Sequence, residues 1–419
     1  MPVKPHLHYH SDCDTFGGCE SMLVNFFSDP RLRDGFLLSF SYRNVPAYVD
    51  GLRRRLPPLQ HESALELLSE AAPREWTRRL PRFLALPLLA LQSVLLLRYW
   101  ILARNVLWLI RAWRGQQIDL LHINNGGYPG ASSARAAAIA ANFLRIPKVV
   151  MVVNNIAAAP RWHERPIEAL IDRMLCRDVH AFVTGSGFAN EALRARLGNC
   201  ASRFLNLHNG IGSRQPDESV VQSRERMGVA ADALVFAIVA LHETRKGHRV
   251  LIEAIAEMNR HLPADRRPVL LIEGSGPEEA ALLALTARLV LQEQVRFIGS
   301  ERNVLNLMQC ADLLVVPSIA NEDFPNVVLE AMSVGTPVLA TRLAGIPEQI
   351  EDGVSGWLVP PRQSSPLAHA MARLAGNRAA IESAGAAAGE RFRTNFTAEL
   401  AVGRYIKLYS DLLTLKEQQ

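Results

Sequence analysis

Short apolar segments with strand character alternate with helical segments along the whole chain, and this rhythm restricts the folds available to it. Candidate strands in the first half lie at 35–41, 118–124, 148–153 and 180–184, with an alanine-rich helix over 131–144. Candidate strands in the second half lie at 233–240, 268–273, 295–298, 313–316 and 337–340. Strands that alternate with helices pair in parallel, so we predict an α/β protein with doubly wound parallel sheets.

The length and one change of composition predict where the chain divides. It has 419 residues, and single domains rarely grow beyond about 250–300 residues. A stretch rich in Gly, Ser, Pro and Asp begins near Asn209, between the two series of strands. We therefore predict one Rossmann-like domain over 1–210, a second over 211–395, and a C-terminal helix within 396–419 that crosses back to the first.

Composition excludes several classes of protein. The chain is 49% hydrophobic and 21% charged, which is typical of a globular protein. Its formal net charge of +5 is small and concentrated in one region, so we predict no nucleic-acid partner. The five cysteines are scattered and form no C-x-x-C pair, which argues against a disulfide framework and a zinc ribbon. No apolar signal core follows Lys4, and we expect a cytoplasmic protein.

Two carboxylates stand eight positions apart beyond one predicted strand. Glu322 follows the apolar run at 313–316, and Glu330 lies on a helix predicted to open near Asn326. The first turn of a helix presents backbone N–H groups that attract anions, most often phosphate. A phosphate site flanked by two acids suits a nucleotide-sugar, because amides can hold the diphosphate while carboxylates hold hydroxyl groups.

This segment resembles the signature of retaining glycosyltransferases of the group 1 type (family 4), which has two glutamates separated by seven residues. Further segments resemble the family's motifs in the same order: 246–254, 270–278, 295–299, 345–348 and 353–359. The resemblance covers roughly 235–360 and implies the GT-B fold, with two Rossmann-like domains facing a cleft. It implies that 1–210 binds the acceptor and that 211–395 binds the donor.

The resemblance also assigns roles to single residues. Lys246 and Glu322 are the implied catalytic residues: Lys246 neutralises the leaving diphosphate and Glu322 faces the donor sugar. Many relatives have an arginine five or six positions before this lysine, where Ala240 and Leu241 stand here, so Arg245 is expected to supply that charge. The other implied donor contacts are Gly18, Ile298, the backbone at Phe324, Asn326 and Val327, and Glu330 for the ribose.

Three details of the site remain expectations. Asn154 stands where relatives usually carry a histidine, and its amide can contact a sugar hydroxyl but cannot hold a positive charge. No Asp-x-Asp motif occurs in a suitable loop, so we predict neither a metal nor a cofactor, with the nucleotide-sugar as substrate. His6, His8 and His10 alternate as on one face of a strand, which favours strand packing over a metal site.

A basic and apolar region is the second informative feature. Between residues 53 and 114 there are eleven arginines, no lysine and four glutamates, interleaved with the apolar run 83–97 and with Trp100 and Trp108. The run is shorter than the roughly 20 residues that span a bilayer. Arginine with Trp and Leu suits an anionic membrane surface. The alternative is a set of core helices with a solvated arginine face.

Together these features predict a retaining glycosyltransferase of the hexosyltransferase type, peripheral at the cytoplasmic face of the membrane. It would move a sugar from a UDP- or GDP-linked donor to a glycan or lipid-linked acceptor, in polysaccharide or glycolipid biosynthesis. Two alternatives stay open. One is a sugar-nucleotide epimerase or phosphorylase on the same fold, and the other is a non-catalytic module that binds a sugar-nucleotide or a membrane.

Overall fold

Two parallel sheets organise the chain. The computed structural model describes residues 4–56, 58–69, 81, 97–130, 132–212 and 214–414. Contacts divide the chain into one unit of Met1–His208 with Ala401–Gln419, and a second of Asn209–Leu400. The break thus follows residue 208, where the sequence suggested 210, and the last helix leaves the second unit at residue 400.

The first unit contains a seven-stranded sheet in the order β3-β2-β1-β4-β5-β6-β7. Its strands are β1 His6–Ser11, β2 Leu37–Arg43, β3 Glu62–Leu65, β4 Leu120–Asn125, β5 Lys148–Val153, β6 Ala181–Thr184 and β7 Arg203–Asn206. The unit's helices are α1 Ser21–Ser28, α2 Pro30–Gly35, α3 Pro46–Arg53, α4 Leu97–Trp113, α5 Ser132–Phe143, α6 Arg165–Asp178 and α7 Gly187–Leu197, with a 3-10 turn at Gly18–Glu20. Near-continuous burial of β4, β5 and β6 is typical of a parallel sheet covered on both faces.

The second unit contains a six-stranded sheet in the order β10-β9-β8-β11-β12-β13. Its strands are β8 Val235–Val239, β9 Val269–Glu273, β10 Val295–Gly299, β11 Leu313–Val316, β12 Val338–Thr341 and β13 Gly356–Val359. Its helices are α8 Val220–Arg226, α9 His248–Met258, α10 Glu279–Arg288, α11 Val304–Cys310, α12 Asn326–Ser333, α13 Ile346–Gln349, α14 Ser364–Ala375 and α15 Arg378–Asn395, with 3-10 turns at Thr244–Lys246 and Ala264–Arg266.

The last helix, α16 (Ala398–Thr414), packs mainly within the first unit. Its Tyr405 ring lies 4.9 Å from that of Phe26. Its Tyr409 hydroxyl lies 2.7 Å from Nδ1 of the buried His122 on β4. These aromatic contacts close one face of the first sheet. The predicted fold class, two Rossmann-like domains with parallel sheets, is confirmed.

The cysteine prediction was wrong in one respect. Cys176 near the end of α6 and Cys200 just after α7 form a disulfide, with Cα atoms 5.1 Å apart. The two residues are separated by 24 positions in sequence, so no spacing motif signals the pair. Packing of α6 beside α7 brings them together, whereas Cys13 and Cys310 are free thiols.

Each sheet reverses its strand order at one point. In the first sheet this point lies between β1 and β4, and in the second between β8 and β11. Ligands of open α/β sheets bind outside the carboxyl ends of the strands at such points. The loops that follow these four strands are therefore the places to look for a site in each unit.

Candidate functional site

In the second unit, the loops that leave β8 and β11 meet at the switch point. Arg245 and Lys246 lie in the 3-10 turn after β8, and Glu322 lies in the loop after β11. Gly247 lets the two loops approach, since it has φ +76° and a Cβ there would lie 2.0 Å from the Pro317 carbonyl oxygen. That position demands glycine both for its backbone conformation and for its space.

Glu322 is surrounded by cations. Lys246 Nζ donates a short hydrogen bond to Glu322 Oε2, and an Arg245 guanidinium nitrogen lies 3.5 Å from the same oxygen. The Ser318 hydroxyl donates to it as well, at 3.3 Å. Sequence comparison put Lys246 and Glu322 in one site, and the structure brings them into direct contact. It adds Ser318, which the sequence did not single out.

The loop that carries Glu322 is held in place by its backbone. Ile319 N–H donates to the Arg245 carbonyl at 2.8 Å, and Arg245 donates to the Asn321 carbonyl at 3.3 Å. Arg362 donates to the Ile319 carbonyl at 3.1 Å. Asn321 adopts φ +50°, a left-handed conformation that Asn tolerates better than most residues. These bonds fix the direction in which the next residue, Glu322, leaves the chain.

Helix α12 begins at Asn326 directly after this loop. Pro325 precedes it with no side-chain cap, and the first turn of a helix leaves N–H groups that its own carbonyls cannot satisfy. Asn326 and Val327 lie in that turn, as the sequence predicted. The Phe324 ring is buried, with its centroid 5.9 Å from that of Phe396, so this residue could reach a ligand only through its backbone.

Glu330 lies one turn further along α12, in a cluster of carboxylates. Its charge and that of Glu301 act on Glu273, whose pKa is raised chiefly by burial and secondly by these neighbours. The Glu301 N–H donates to the Glu273 carboxylate at 3.0 Å. Glu273 ends β9, next to β8, and sequence analysis did not assign it a role. Its position at the carboxyl end of a strand beside a glycine turn was the available signal.

Ile298 lies on β10, the edge strand next to β9, and is partly buried against the core of the second unit. Leu241, where many relatives have an arginine, is 55% exposed. The cations that face Glu322 are thus Arg245 and Lys246. That Arg245 supplies the charge of the missing arginine stays a prediction.

In the first unit, the predicted site residues also lie beyond the carboxyl ends of strands. Asn154 follows β5 and donates to the Asn124 side chain at 2.9 Å and to the Asn125 carbonyl at 3.1 Å. Gly18, an implied donor contact, starts the 3-10 turn after β1. Gly17 has φ −124°, which other residues also adopt, and its N–H donates to the buried Glu20 carboxylate.

The alternating histidines of β1 form a hydrogen-bonded ladder with serines. The hydrogen-bond contacts follow the strand from its first residue to its last. They run from the Gln117 carbonyl through His6, Ser39, His8, Ser41 and His10 to Ser133, with distances between 2.6 and 3.0 Å. Burial lowers the pKa of His8, and it lowers that of His10 to about 4. The neutral rings of His8 and His10 are engaged in strand packing. Across the described ranges, His, Cys, Asp and Glu form no group of three or more that could hold a metal ion.

The basic region is only partly described, since 70–80 and 82–96 lie outside the described residues, including four arginines and all of the apolar run except Leu97. Arg98 turns inward: its guanidinium lies 2.9 Å from Glu164 and 3.6 Å from Glu168. Further along α4, Trp100, Leu107 and Trp108 are exposed at 59%, 68% and 40%. In the part of the chain that the structure describes, no helix combines the length and apolar character needed to cross a membrane.

Two family models match the chain in succession. The model of "Glycosyltransferase Family 4" matches residues 45–213, and that of "Glycosyl transferases group 1" matches residues 232–377. The second match contains Lys246, Glu322 and Glu330. The chain belongs to the group 1 (family 4) glycosyltransferases.

Curated relatives of this glycosyltransferase family match part of the chain. A D-inositol 3-phosphate glycosyltransferase of Saccharomonospora viridis is 35% identical over 161 residues, which is 36% of this chain and 37% of the relative. An N-acetyl-alpha-D-glucosaminyl L-malate synthase of Bacillus anthracis is 30% identical over 196 residues, 46% of this chain and 50% of the relative. The chain thus spans half or less of the length of these relatives.

Solved glycosyltransferases share the fold over almost the whole chain. Anabaena HepE, solved in complex with UDP, has a TM-score of 0.75 at 19% identity and covers 97% of this chain and 100% of its own. WaaG, a glycosyltransferase involved in lipopolysaccharide biosynthesis, has a TM-score of 0.64 at 16% identity, covering 95% and 98%. These likenesses establish the GT-B fold.

Proposed function

We propose that this protein is a retaining glycosyltransferase of the hexosyltransferase type that uses a UDP- or GDP-linked sugar. The observation that carries the proposal is the contact of Lys246 and Arg245 with Glu322 at the switch point of the second sheet. Two cations and a carboxylate at the carboxyl ends of adjacent strands suit a substrate that is anionic at one end and hydroxylated at the other.

In the proposed reaction, the second unit binds the donor. Lys246 and Arg245, with the backbone N–H groups of Asn326 and Val327, stabilise the negative charge that grows on the leaving diphosphate. Glu322 binds hydroxyls of the donor sugar and stabilises its positively charged, oxocarbenium-like centre. Glu330 binds the ribose, and Ile298 lies along the base. The charges come from the chain itself, so we propose that the donor site needs no metal and no cofactor.

Retention follows from attack on the same face of the sugar that the diphosphate leaves. The acceptor oxygen forms the new bond to the anomeric carbon as the bond to the phosphate oxygen breaks, and that phosphate oxygen takes the acceptor's proton. No covalent sugar–enzyme intermediate is needed, so no side chain is assigned as a nucleophile.

The acceptor is proposed from α4. The exposed side chains of Trp100, Leu107, Trp108 and Arg111 lie on one side of α4, together with the half-buried Arg104, whose guanidinium lies 5.7 Å from the Trp108 ring centroid. This set, which we call the α4 face, suits the headgroup layer of an anionic membrane. We therefore propose peripheral membrane binding at the cytoplasmic face and a glycan or lipid-linked acceptor, as in polysaccharide or glycolipid biosynthesis.

The test is a thermal-shift screen of UDP-, GDP- and ADP-sugars, followed by transfer assays with the donor that binds. A ligand at a hundred times its dissociation constant should stabilise the protein by about 2.7 kcal/mol, a readable shift. Glu322→Ala should then lower turnover by orders of magnitude with its fold intact. If no nucleotide or nucleotide-sugar binds, the proposed function is wrong.

Incubation of the enzyme with donor alone, and with donor plus inorganic phosphate, separates the remaining enzyme classes. An epimerase would convert the donor to its epimer, and a phosphorylase would need only inorganic phosphate as a second substrate. A non-catalytic module would bind the donor and leave it unchanged with every acceptor. The proposal expects slow hydrolysis at most until an acceptor is added.

A further inference from the structure

Glu322 and the proposed diphosphate site use the same cations. One carboxylate oxygen of Glu322 contacts Lys246 and Arg245 together. The side chains of Lys246, Glu322 and Arg245 are 16%, 11% and 33% exposed, so little water screens them. A charge in such a place needs a charged partner.

We infer that Glu322 and the donor diphosphate compete for Lys246 and Arg245, so that the diphosphate frees the Glu322 carboxylate to turn towards the sugar. This rests on the proposed function, because it assumes that the diphosphate binds these two cations. The Glu322 carboxylate occupies the side of Lys246 and Arg245 that faces the proposed diphosphate site. When phosphate oxygens take the cations, the carboxylate loses its partners and must find others.

The loop geometry allows this exchange without backbone movement. The Ile319 and Asn321 backbones are held by bonds to Arg245, and the Ser318 carbonyl accepts a 2.6 Å bond from Thr341. The bonds between Glu322 and its cations involve only its carboxylate, at the end of a side chain with three rotatable bonds. Rotation of the side chain is therefore sufficient, and Ser318 can follow it with its hydroxyl.

The consequence is a link between binding and chemistry at one residue. Hydroxyl groups of the donor sugar are the donors that the displaced carboxylate can accept from. A full nucleotide-sugar provides both the anion that releases Glu322 and the hydroxyls that receive it. A free diphosphate provides only the anion, so it breaks the ion pair without supplying hydroxyl groups to the released carboxylate.

The experiment measures the affinity of inorganic pyrophosphate by titration calorimetry for the wild-type protein and Glu322→Gln. Glutamine has the same shape but is a weaker partner for the cations, so pyrophosphate should bind the variant about tenfold more tightly, within the range of hydrogen bonds to charged groups. The same direction is expected for UDP or GDP, whichever the screen identifies. Transfer should fall, because the amide cannot stabilise positive charge.

A matched control removes one carboxylate at the same end of the sheet without touching either cation. Glu279 starts α10 in the loop after β9, and its half-exposed carboxylate lies 3.5 Å from the His242 ring. Glu279→Gln changes the net charge by the same amount as Glu322→Gln. A general electrostatic effect would tighten pyrophosphate binding equally in both variants, and that result would overturn the inference.

Two further results distinguish a failure of the competition from a failure of the proposed function. If pyrophosphate and nucleotide bind the wild-type protein, but Glu322→Gln binds pyrophosphate with unchanged or lower affinity, the competition is wrong and the proposed function stands. If neither pyrophosphate nor any nucleotide binds the wild-type protein, Glu322→Gln or Lys246→Met, the proposed function itself is wrong. Melting temperatures check that each variant is folded, and Glu322→Asp, whose shorter carboxylate reaches the cations less well, should show an intermediate gain.

Discussion

Glu330 lies among acidic neighbours, and this setting defines what it can bind. Glu273 and Glu301 lie close by, and burial together with these charges raises the pKa of Glu273. Glu301 is paired with Arg226 at 2.9 Å, but Glu273 and Glu330 add carboxylates here, so this end of the site suits the ribose and base rather than the diphosphate. The cations at Lys246 and Arg245 define the opposite, phosphate-binding end.

Glu330→Gln should weaken nucleotide binding through the nucleoside part. The loss of a hydrogen-bonded charge to ribose hydroxyls predicts a cost of about 1–3 kcal/mol. Calorimetry should show this loss for UDP or GDP, while pyrophosphate affinity stays unchanged. Glu293→Gln, at an exposed position of the same unit, is the matched control. A loss confined to pyrophosphate would mean that Glu330 serves the phosphate end instead.

The sequence could predict these residues but not their contacts. Glu322, Glu330 and Lys246 were found by the order of family motifs, and α12 begins at the predicted Asn326. Lys246 and Glu322 are 76 positions apart, and their ion pair depends on β8 and β11 being neighbours in the sheet. Strand order at a switch point cannot be derived from local patterns. For the same reason Ser318 and Glu273 were missed.

At the scale of elements, α4 shows how helix geometry distributes the arginines of the basic and apolar region between two sides of one helix. Its arginines looked equivalent in sequence, but helix geometry divides them. Arg98 contacts Glu164 and Glu168, whereas Arg104 and Arg111 lie on the side that carries Trp100, Leu107 and Trp108. The buried side carries Ile101, Leu102, Val106, Leu109 and Trp113. Helical periodicity, once the bounds are known, explains this division.

Arg104→Glu combined with Arg111→Glu should abolish binding to vesicles rich in anionic lipid. Wild-type protein should bind such vesicles, bind neutral vesicles poorly and dissociate as salt rises, because surface charge is screened within about 10 Å at 0.1 M salt. Co-sedimentation measures this. Transfer to a soluble acceptor analogue should persist in the double variant.

The matched control for this charge reversal is Arg260→Glu with Arg288→Glu, both exposed in the second unit. It changes the net charge equally and should leave vesicle binding largely intact. Arg98 is excluded from the test because its reversal would place a carboxylate beside Glu164 and Glu168. If wild-type protein does not bind anionic vesicles at low salt, the α4 face is an ordinary helix surface.

The histidine ladder shows a different limit of sequence analysis. Alternation in β1 correctly indicated one strand face, but the partners Ser39 and Ser41 come from the parallel register in which His8 lies opposite Ser39. The strands β3, β7 and β13 were also missed. No residue of β3 or β7 is fully buried, so neither has the apolar run that marks β6, β11 and β12. Longer apolar runs such as β5 were predicted to their ends.

At the scale of the whole molecule, buried neutral histidines occur in both units. Burial lowers the pKa of His10 to about 4, of His122 to about 3 and of His248 to about 4, and the His248 pKa is lowered further by His242 and Lys246. The ordinary value of the unfolded chain is about 6.5. Between these values these three histidines bind more protons in the unfolded chain than in the folded protein, so their contribution to stability is lost as pH falls from about 6.5 towards 4.

Replacing one buried histidine should therefore remove part of this pH dependence. His248 is 2% exposed, and neither ring nitrogen has a hydrogen-bond partner. A pKa difference of about 2.5 corresponds to roughly 3 kcal/mol of stability lost between pH 6.5 and 4. His248→Leu should flatten the dependence of the second unit by about that amount. His261→Leu, at an exposed position of the same unit, should not. Urea unfolding from pH 7.5 to 4.5 measures both variants, and equal slopes for wild type and His248→Leu would show that His248 is already charged in the folded protein.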